Sequence, residues 1–333
     1  MISPYPLCFY PIYTDYVWGG NRIITKYKRK KKFKIHAESW EVCDRQNVRS
    51  VIKNGPLRGK DLRYALTLWK NNLLGRGKKR KKFPLLVKII DAKQRLSLQV
   101  HPDVLVAKKF NAEAKSECWY VLETRKNSLI YAGLNPKFTK EELKNIILDS
   151  KNCEHVVNKI KVKKEDMIFI PAGRIHALGE NNLILEVQQN SNTTYRIYDW
   201  GREEKNRPLH IKEAISALHW QDKKDPLVER HLTQTAAEFQ LYSMLSCKYF
   251  ALSLLKLKKR VILNLPGKNF IIFFVENGYG DLRYEKHKIK LKPGTTCLLP
   301  AHCRNITLSN STKNLSLVLI AEKTLKKLSV LSG

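Results

Sequence analysis

The sequence predicts a mainly β protein, built as two β-barrels in tandem with a few inserted helices. Short apolar segments recur between turns rich in glycine and proline, and three of them in the last hundred residues are 250–255, 270–276 and 315–320. Such spacing is typical of a sandwich or barrel. A weak internal likeness relates 164–172 to 292–301, since each runs from a polar turn into a short apolar strand ending in Pro-Ala. It suggests that the two halves hold similar barrels.

Length and hydropathy are those of a soluble globular protein with two domains. The chain has 333 residues, 43% of them hydrophobic, and a mean hydropathy of −0.39. Its apolar runs, such as 83–87, are too short to cross a bilayer, and the N-terminus lacks the pattern of a secretory signal. We therefore expect a cytoplasmic protein with no membrane partner. The polar segment 221–230 contains a proline and predicts a boundary between domains at 1–225 and 232–333.

The seven cysteines predict reduced thiols. Their number is odd, and no CxxC pair occurs among them. In a chain of this length the pattern argues against a disulfide framework and against a zinc knuckle.

The strongest global feature is a formal charge of +32, much of it in the runs 26–32 and 76–82. One interpretation is a surface that binds nucleic acid or another polyanion. The other is solvated loops, which we favour because no aromatic stacking platform accompanies either run. We therefore expect no nucleic-acid partner. In either case a basic exterior attracts an anionic metabolite at low salt.

Three segments are predicted to be helical. Residues 61–74 have helical spacing, with Leu62, Leu66 and Trp69 on one side and a glycine just beyond the end. Thr139 and Glu142 have the spacing of a capping box, which starts a helix that runs to residue 148. Residues 212–218 repeat the helical pattern, and 105–114 predict a short helix or a loop.

Strands are predicted where apolar or alternating segments are bounded by turns. In the first part of the chain these segments are 16–18, 37–42, 85–101 with a break near 91–95, 117–123, 128–132, 167–171 and 183–188. In the last part they are 250–255, 260–263, 270–276, 296–299 and 315–320.

The segment FPLLVKIIDAKQRLSLQVHPD, residues 83–103, carries the first functional signal. Because residues two apart on a strand share a face, Gln99 and His101 project side by side. An amide oxygen and an imidazole nitrogen at one point form half of a divalent metal site. Glu117 opens the strand ECWYVLE, and His176 follows a tight Pro-Ala-Gly turn, so these two are candidates for the other half.

The order QxH, then E, then PxGxxH resembles the metal site of the cupin fold, a jelly-roll barrel. The surrounding sequence resembles one family, class I mannose-6-phosphate isomerase, in its short bacterial form. The matching stretches are 18–20 (WGG), 37–41 (AESWE), 83–88 (FPLLVK), 97–103 (SLQVHPD), 115–120 (KSECWY), 170–178 (IPAGRIHAL) and 186–196 (EVQQNSNTTYR). The resemblance covers most of the first 210 residues, and the C-terminal part fits the family's second cupin domain loosely.

The resemblance implies a zinc-dependent aldose–ketose isomerase that interconverts mannose 6-phosphate and fructose 6-phosphate, with one Zn²⁺ per chain. It implies that Gln99, His101, Glu117 and His176 hold the ion, and that Arg196, Lys115 and Glu186 are pocket residues. The residue types suit proton transfer between C1 and C2 through an enediol(ate), whose developing charge needs a Lewis acid or fixed cations. Lys115 would hold the phosphate or relay a proton. Glu186 would be a base or orient its neighbours.

Two departures from the family pattern affect these expectations. Asn192 stands where the family often has Asp, so a role that needs an ionised carboxylate would be impaired. In the second barrel His302 lies where a PxGxxH motif would be, and without a partner we expect it to be structural. The alternative function is a non-catalytic or differently specialised cupin that binds a sugar phosphate or another anion. We expect a monomer or a weak homodimer.

Overall fold

The computed structural model describes residues 2–77, 79–149, 153–202, 207–222, 224–265, 267–325 and 328–332. By its internal contacts the chain divides into two compact units. The terminal unit comprises Met1–Ile12, Trp40–Leu86 and Glu229–Gly333, and the central unit comprises Tyr13–Ser39 and Val87–Val228. These units alternate along the chain. The predicted domain boundaries, 1–225 and 232–333, concern folding units and stay a prediction.

Helices are short and few in the described part of the chain. They are α1 (Arg22–Tyr27), α2 (Leu62–Trp69), α3 (Asn71–Leu74), α4 (Val104–Lys109), α5 (Lys140–Asp149) and α6 (Ile211–Ala217), with a 3₁₀ turn at Cys153–Val156.

Strands make up most of the regular structure. They are β1 (Leu7–Cys8), β2 (Ile12–Thr14), β3 (Glu38–Val42), β4 (Leu85–Ala92), β5 (Leu98–Val100), β6 (Glu117–Glu123), β7 (Leu129–Leu134), β8 (Val157–Lys161), β9 (Met167–Ile170), β10 (His176–Leu178), β11 (Asn182–Gln189), β12 (Tyr195–Tyr198), β13 (Leu227–Val228), β14 (His231–Thr235), β15 (Phe239–Ser246), β16 (Ala251–Leu257), β17 (Val261–Asn264), β18 (Ile271–Asn277), β19 (Gly280–Tyr284), β20 (His287–Leu291), β21 (Thr296–Leu299), β22 (Asn305–Asn310), β23 (Leu315–Ala321) and β24 (Ser329–Ser332).

Two antiparallel sheets are built mainly from residues of the central unit, and their order positions the candidate site. The larger sheet has the order β13-β9-β6-β11-β4-β3-β2, and the smaller has the order β12-β5-β10-β7-β8. Apolar side chains from both sheets form one core, among them Ile90, Val121 and Ile130. A second cluster, which includes Val100 and Ile147, packs α5 and α6 against the smaller sheet. The unit is therefore a two-sheet sandwich covered by helices on one side.

The terminal unit repeats this architecture. Its larger sheet has the order β1-β21-β18-β23-β16-β15-β14, and its smaller sheet has the order β20-β19-β22-β17-β24. Phe273 and Leu317 of the larger sheet and Leu282 and Ile306 of the smaller are fully buried in one core. The prediction of a mainly β fold with two similar halves is confirmed. Each half is a pair of open sheets and not a closed barrel.

Local sequence signals explain where α2 and α5 begin. The Asp61 side chain accepts a hydrogen bond from the Tyr64 N–H at 2.8 Å and caps α2, at the start of the predicted helix. The predicted helix 61–74 is divided at Lys70, which has a φ of +46° and separates α2 from α3. The predicted capping box is confirmed, because the Thr139 N–H donates to Glu142 and the Glu142 N–H donates to the Thr139 hydroxyl.

The predicted strand at residues 16–18 is wrong, because Val17 and Trp18 form a turn. The Gly19 N–H closes that turn on the Tyr16 carbonyl at 2.9 Å. Gly19 then packs directly on Ala37, and a Cβ at position 19 would lie 2.4 Å from the Ala37 Cα. Local alternation of apolar residues could not reveal this turn, since its cause is a close approach between distant parts of the chain.

We expect Gly19→Ala to lower the free energy of unfolding by about 1–3 kcal/mol, the usual cost of overpacking. The added methyl group meets the backbone of Ala37, whose N–H is hydrogen-bonded to Thr14 at 2.9 Å, so the strand cannot retreat without breaking that bond. Urea unfolding followed by tryptophan fluorescence measures the change. An unchanged midpoint would contradict this account of the turn.

Candidate active site

The strand register of the smaller sheet brings three predicted site residues side by side. Gln99 lies on β5, between β10 and β12. Its Cα is paired with His176 on one side and with Arg196 on the other. Directly opposed residues in antiparallel strands point to the same face, so the three side chains share one face of the sheet. His101 lies directly after the end of β5, two residues beyond Gln99.

A carboxylate lies between two imidazoles in the buried part of the site. One oxygen of Glu117 lies 3.2 Å from His101 Nε2, and the other lies 3.4 Å from His176 Nε2. The ring centroids of the two histidines are 4.7 Å apart, and all three residues are at most 1% exposed. These three residues form a group whose ligand atoms lie within 4.8 Å of one another. Such a group can hold a metal ion.

The protonation states in this group are those that metal ligands need. Burial lowers the pKa of His101 to about 3, and burial also lowers the pKa of His176. Burial would raise the pKa of Glu117, but Lys115 and the two imidazoles outweigh it and hold that pKa well below its usual value. Both histidines are therefore neutral and the carboxylate is ionised, as metal coordination requires.

Hydrogen bonding leaves the same atoms available for an ion. His176 Nδ1 lies 2.9 Å from the Arg174 carbonyl, so this nitrogen carries the proton and Nε2 presents its lone pair to the group. Among the described residues, neither Nε2 atom nor Glu117 Oε1 has a hydrogen-bond partner, whereas Glu117 Oε2 lies 2.8 Å from Lys115 Nζ. Buried polar atoms without such partners are costly unless something else satisfies them. A cation coordinated by these atoms fits that requirement.

A cleft of about 360 Å³ adjoins the buried group in the central unit. Gln99 and Lys115 line it, and Lys115 Nζ lies 2.8 Å from Glu117. The other lining residues are Tyr16, Trp18, Glu38, Lys88, Ile90, Leu96, Ser97, Glu186, Asn192, Thr194, Arg196, Arg207, Pro208 and His210. All seven predicted site residues therefore lie in the cleft or directly beside it, and their assignment as ligands and catalysts stays a prediction.

Sequence analysis missed a buried charge network in the wall of the cleft. Lys88 Nζ lies 3.5 Å from Glu38 and 3.5 Å from Glu186. Trp119 Nε1 donates a hydrogen bond to the other oxygen of Glu186 at 3.1 Å. The available signal was a lysine inside the apolar strand 85–90, where a charge is costly unless it is paired.

The network sets the protonation of its members. Burial would lower the pKa of Lys88, but Glu38 and Glu186 outweigh it and raise that pKa, so the lysine stays charged. Burial and the charge of Glu117 raise the pKa of Glu186, and Lys88 opposes the rise. Glu186 therefore holds a proton more readily than an ordinary glutamate does.

Arg196, on β12, is hydrogen-bonded to the residues that form the opposite wall of the cleft. Its Nη1 donates to the Pro208 carbonyl at 2.8 Å, and its own carbonyl accepts from the His210 N–H at 2.8 Å. Asn192, which replaces the expected Asp, also lines the cleft. The orientation of the Arg196 guanidinium thus depends on a segment that lies about ten residues further along the chain.

A larger concavity of about 740 Å³, lined by Phe169, Arg174 and Trp220 among others, has no comparable chemistry. Arg174 is the buried charged residue of this concavity. Its Nε and Nη2 atoms both donate hydrogen bonds to the Asp222 carboxylate. Its remaining donors bond to the carbonyls of Phe169 and Lys224. The buried arginine there is fully bonded to Asp222 and to two carbonyls, so the smaller cleft is the candidate site.

Two family models match the chain. The model described as phosphomannose isomerase type I, catalytic domain, matches residues 8–166. The model described as mannose-6-phosphate isomerase, cupin domain, matches residues 241–317. The second match supports the prediction of a cupin-like C-terminal half.

Curated relatives carry the same names. The chain is 33% identical over 304 residues to mannose-6-phosphate isomerase ManA of Bacillus subtilis, which covers 89% of this chain and 93% of that protein. It is 39% identical over 206 residues to mannose-6-phosphate isomerase of Streptococcus mutans, which covers 61% of this chain and 64% of that protein.

A solved structure gives the same result in three dimensions. The crystal structure of mannose 6-phosphate isomerase from Bacillus subtilis superposes with a TM-score of 0.86 at 28% identity, over 95% of this chain and 99% of that one. Among the described residues, no helix is both long enough and apolar enough to span a membrane.

We expect Lys88→Met to lower the free energy of unfolding by about 3–5 kcal/mol at neutral pH, because it leaves Glu38 and Glu186 buried without their cation. Without Lys88 the folded-state pKa of Glu186 rises further above its unfolded value. A group with a raised pKa loses its contribution to stability as the pH rises through that value, so the deficit should shrink on acidification.

Urea unfolding at several pH values measures this effect, with Lys93→Met as the matched control. Lys93 is exposed just beyond the same strand, and its substitution should change stability by less than about 0.5 kcal/mol. Equal deficits in the two variants, or a deficit that grows on acidification, would contradict the proposed charge network.

Proposed function

The chain belongs to the type I phosphomannose isomerase family, and on that premise we propose that it interconverts mannose 6-phosphate and fructose 6-phosphate. The observation that carries the proposal is the convergence of His101, Glu117 and His176 beside a cleft lined by Lys115 and Arg196. Family membership does not favour the alternative of a non-catalytic binding protein.

We propose one Zn²⁺ per chain, held by Gln99, His101, Glu117 and His176. Two imidazole nitrogens and two oxygen donors suit zinc, and the neutral imidazoles and ionised carboxylate support coordination. When bound, the ion would supply Lewis-acid stabilisation for negative charge on the substrate oxygens. Lys115, at 2.8 Å from Glu117, keeps that buried carboxylate ionised and oriented.

The chain's own groups can account for the proton transfer. Glu186 has a raised pKa, a fixed orientation through Trp119 and access to the cleft, which suits a group that removes a proton from one sugar carbon and returns it to the next. Arg196, beside Gln99, can stabilise negative charge on the enediolate oxygens with its planar fork. The contact between Lys115 and Glu117 favours a role for Lys115 at the reacting end of the sugar over one at the phosphate.

We further propose a cytoplasmic enzyme that acts as a monomer or weak homodimer. In the described chain the seven cysteines form no disulfide, which is consistent with a reducing compartment. The basic run 26–32 is mostly exposed and lies apart from the cleft-lining residues, which supports solvated loops over a nucleic-acid partner.

The first test is a coupled assay of mannose 6-phosphate turnover before and after chelation, with zinc measured by mass spectrometry. We expect the chelator to abolish turnover and zinc to restore it. His101→Ala should lose both the metal and at least about 100-fold in turnover, since the loss removes transition-state charge stabilisation. Arg196→Ala should keep its zinc and lose a similar factor in turnover.

His219→Ala is the control for histidine removal, since its side chain is 54% exposed and lies outside the buried group. It should retain both zinc and activity. Turnover that is indifferent to chelation would exclude the metal-dependent mechanism.

The second test separates proton transfer from charge pairing at Glu186. Glu186→Gln should lower kcat by about 10²–10⁴-fold, the usual value of a positioned acid or base, with little change in zinc content. Exchange of deuterium between solvent and sugar should fall with it. Glu38→Gln is the matched control, because it also removes one carboxylate from Lys88. An equal fall in kcat in both variants would mean that Glu186 only pairs with Lys88 and does not transfer the proton.

A further inference from the structure

Two arginines share one buried carboxylate at the edge of the cleft. Asp199 is 5% exposed, and its oxygens lie 2.8 Å from Arg207 Nε and 3.2 Å from Arg207 Nη2. Arg202 Nη2 contacts the same carboxylate at 2.8 Å. Burial would raise the pKa of Asp199, but the two guanidinium groups outweigh it and lower that pKa. Two cations and one anion leave the cluster with a net positive charge.

The two arginines face different surroundings. Arg207 lines the cleft, whereas Arg202 turns to the backbone and donates to the Arg95 carbonyl at 3.0 Å. Burial and Glu38 raise the pKa of Tyr16, and Lys88 and Arg207 oppose that rise. The Tyr16 hydroxyl therefore lies within electrostatic reach of Arg207 and of the charged wall of the cleft.

Hydrogen bonds to Arg196 hold the residues that follow Arg207 beside the cleft. Pro208, the next residue, accepts a hydrogen bond from Arg196 Nη1 at 2.8 Å. The Arg196 N–H in turn donates to His210 Nδ1 at 3.3 Å. Because Asp199 accepts hydrogen bonds from both Nε and Nη2 of Arg207, the plane of the guanidinium is fixed before a ligand binds.

The other cations of the cleft are engaged by their own neighbours, and the Arg196 guanidinium donates to the Pro208 carbonyl at 2.8 Å. Lys88 lies between Glu38 and Glu186, Lys115 lies against Glu117, and Arg196 is paired with Gln99 on the neighbouring strand. A hexose 6-phosphate carries its dianion at the far end of the carbon chain from C1 and C2. A planar, oriented guanidinium in a net positive cluster is well suited to that group.

We propose that Arg207 binds the phosphate group of the sugar phosphate, and that Asp199 is the positioning residue that orients Arg207. The inference rests on the proposed function and adds to it the group that selects a phosphorylated over an unphosphorylated sugar. Since the phosphate is unchanged in the reaction, the contact is equally strong in the ground state and the transition state. Its loss therefore acts on KM and not on kcat.

The experiment compares Arg207→Gln with Arg202→Gln, each of which removes one guanidinium from Asp199. Arg207→Gln should raise KM for mannose 6-phosphate about 10- to 100-fold, the usual loss for a charged hydrogen-bonded contact, and leave kcat within a few-fold. Arg202→Gln should leave KM unchanged within about twofold. Arg207→Lys should recover only part of the loss, because it restores charge without the fork.

Asp199→Asn, which keeps both arginines, tests the positioning role. It should raise KM by a smaller factor than Arg207→Gln does, whereas a purely structural aspartate would lower thermal stability without changing KM. Equal effects of Arg207→Gln and Arg202→Gln, or a fall in kcat at constant KM in Arg207→Gln, would overturn the proposal.

Inorganic phosphate provides a measurement that does not depend on turnover. Titration calorimetry should detect phosphate binding to the parent protein and to Arg202→Gln, and a Kd at least 10-fold weaker for Arg207→Gln. Unchanged phosphate binding in Arg207→Gln would overturn the inference even if the enzyme is active. A parent protein that binds phosphate through Arg207 but turns over no sugar phosphate would instead overturn the proposed function.

Discussion

The geometry of the site depends on an ionised carboxylate buried between two imidazoles. Glu117 is 1% exposed, and at this depth an isolated charge is far more costly than one in water. Lys115 offsets part of that cost at 2.8 Å, and the neutral rings of His101 and His176 provide lone pairs at the same point. Three strands must hold their register for these atoms to meet. The arrangement therefore constrains β5, β6 and β10 together.

Other buried charges of the cleft are also held by oppositely charged neighbours. Lys88 is placed between two glutamates, and Arg207 shares a buried aspartate with Arg202. Each pair holds a charged group in a fixed position, so that it does not have to reorient when a substrate arrives. The excess of positive charge in the composition is found mainly elsewhere, for example in the exposed run 26–32. Net charge is thus a poor guide to the chemistry of the site.

Much of the site could be predicted because its signals are local. Gln99 lies on a strand and His101 directly beyond its end, and Glu117 and His176 each open a strand. The helices that were predicted well also have local causes, as the capping bonds of Thr139 and Glu142 show. The turn at 16–19 was missed because it depends on contact between Gly19 and Ala37, which lie far apart in the sequence.

The amino-acid pattern was sufficient for the donor types, the strand periodicity and the mainly β class, since each arises from residues that are neighbours in the chain. It was not sufficient for the sheet order, which places His176 and Arg196 on either side of Gln99. Nor could it identify Glu38 and Arg207 as cleft residues, because whether these charges face solvent or the cleft depends on the packing of segments that are distant in the chain. Long-range strand pairing and the cost of burying unpaired charge bring these groups together, and both act between segments that no local pattern connects.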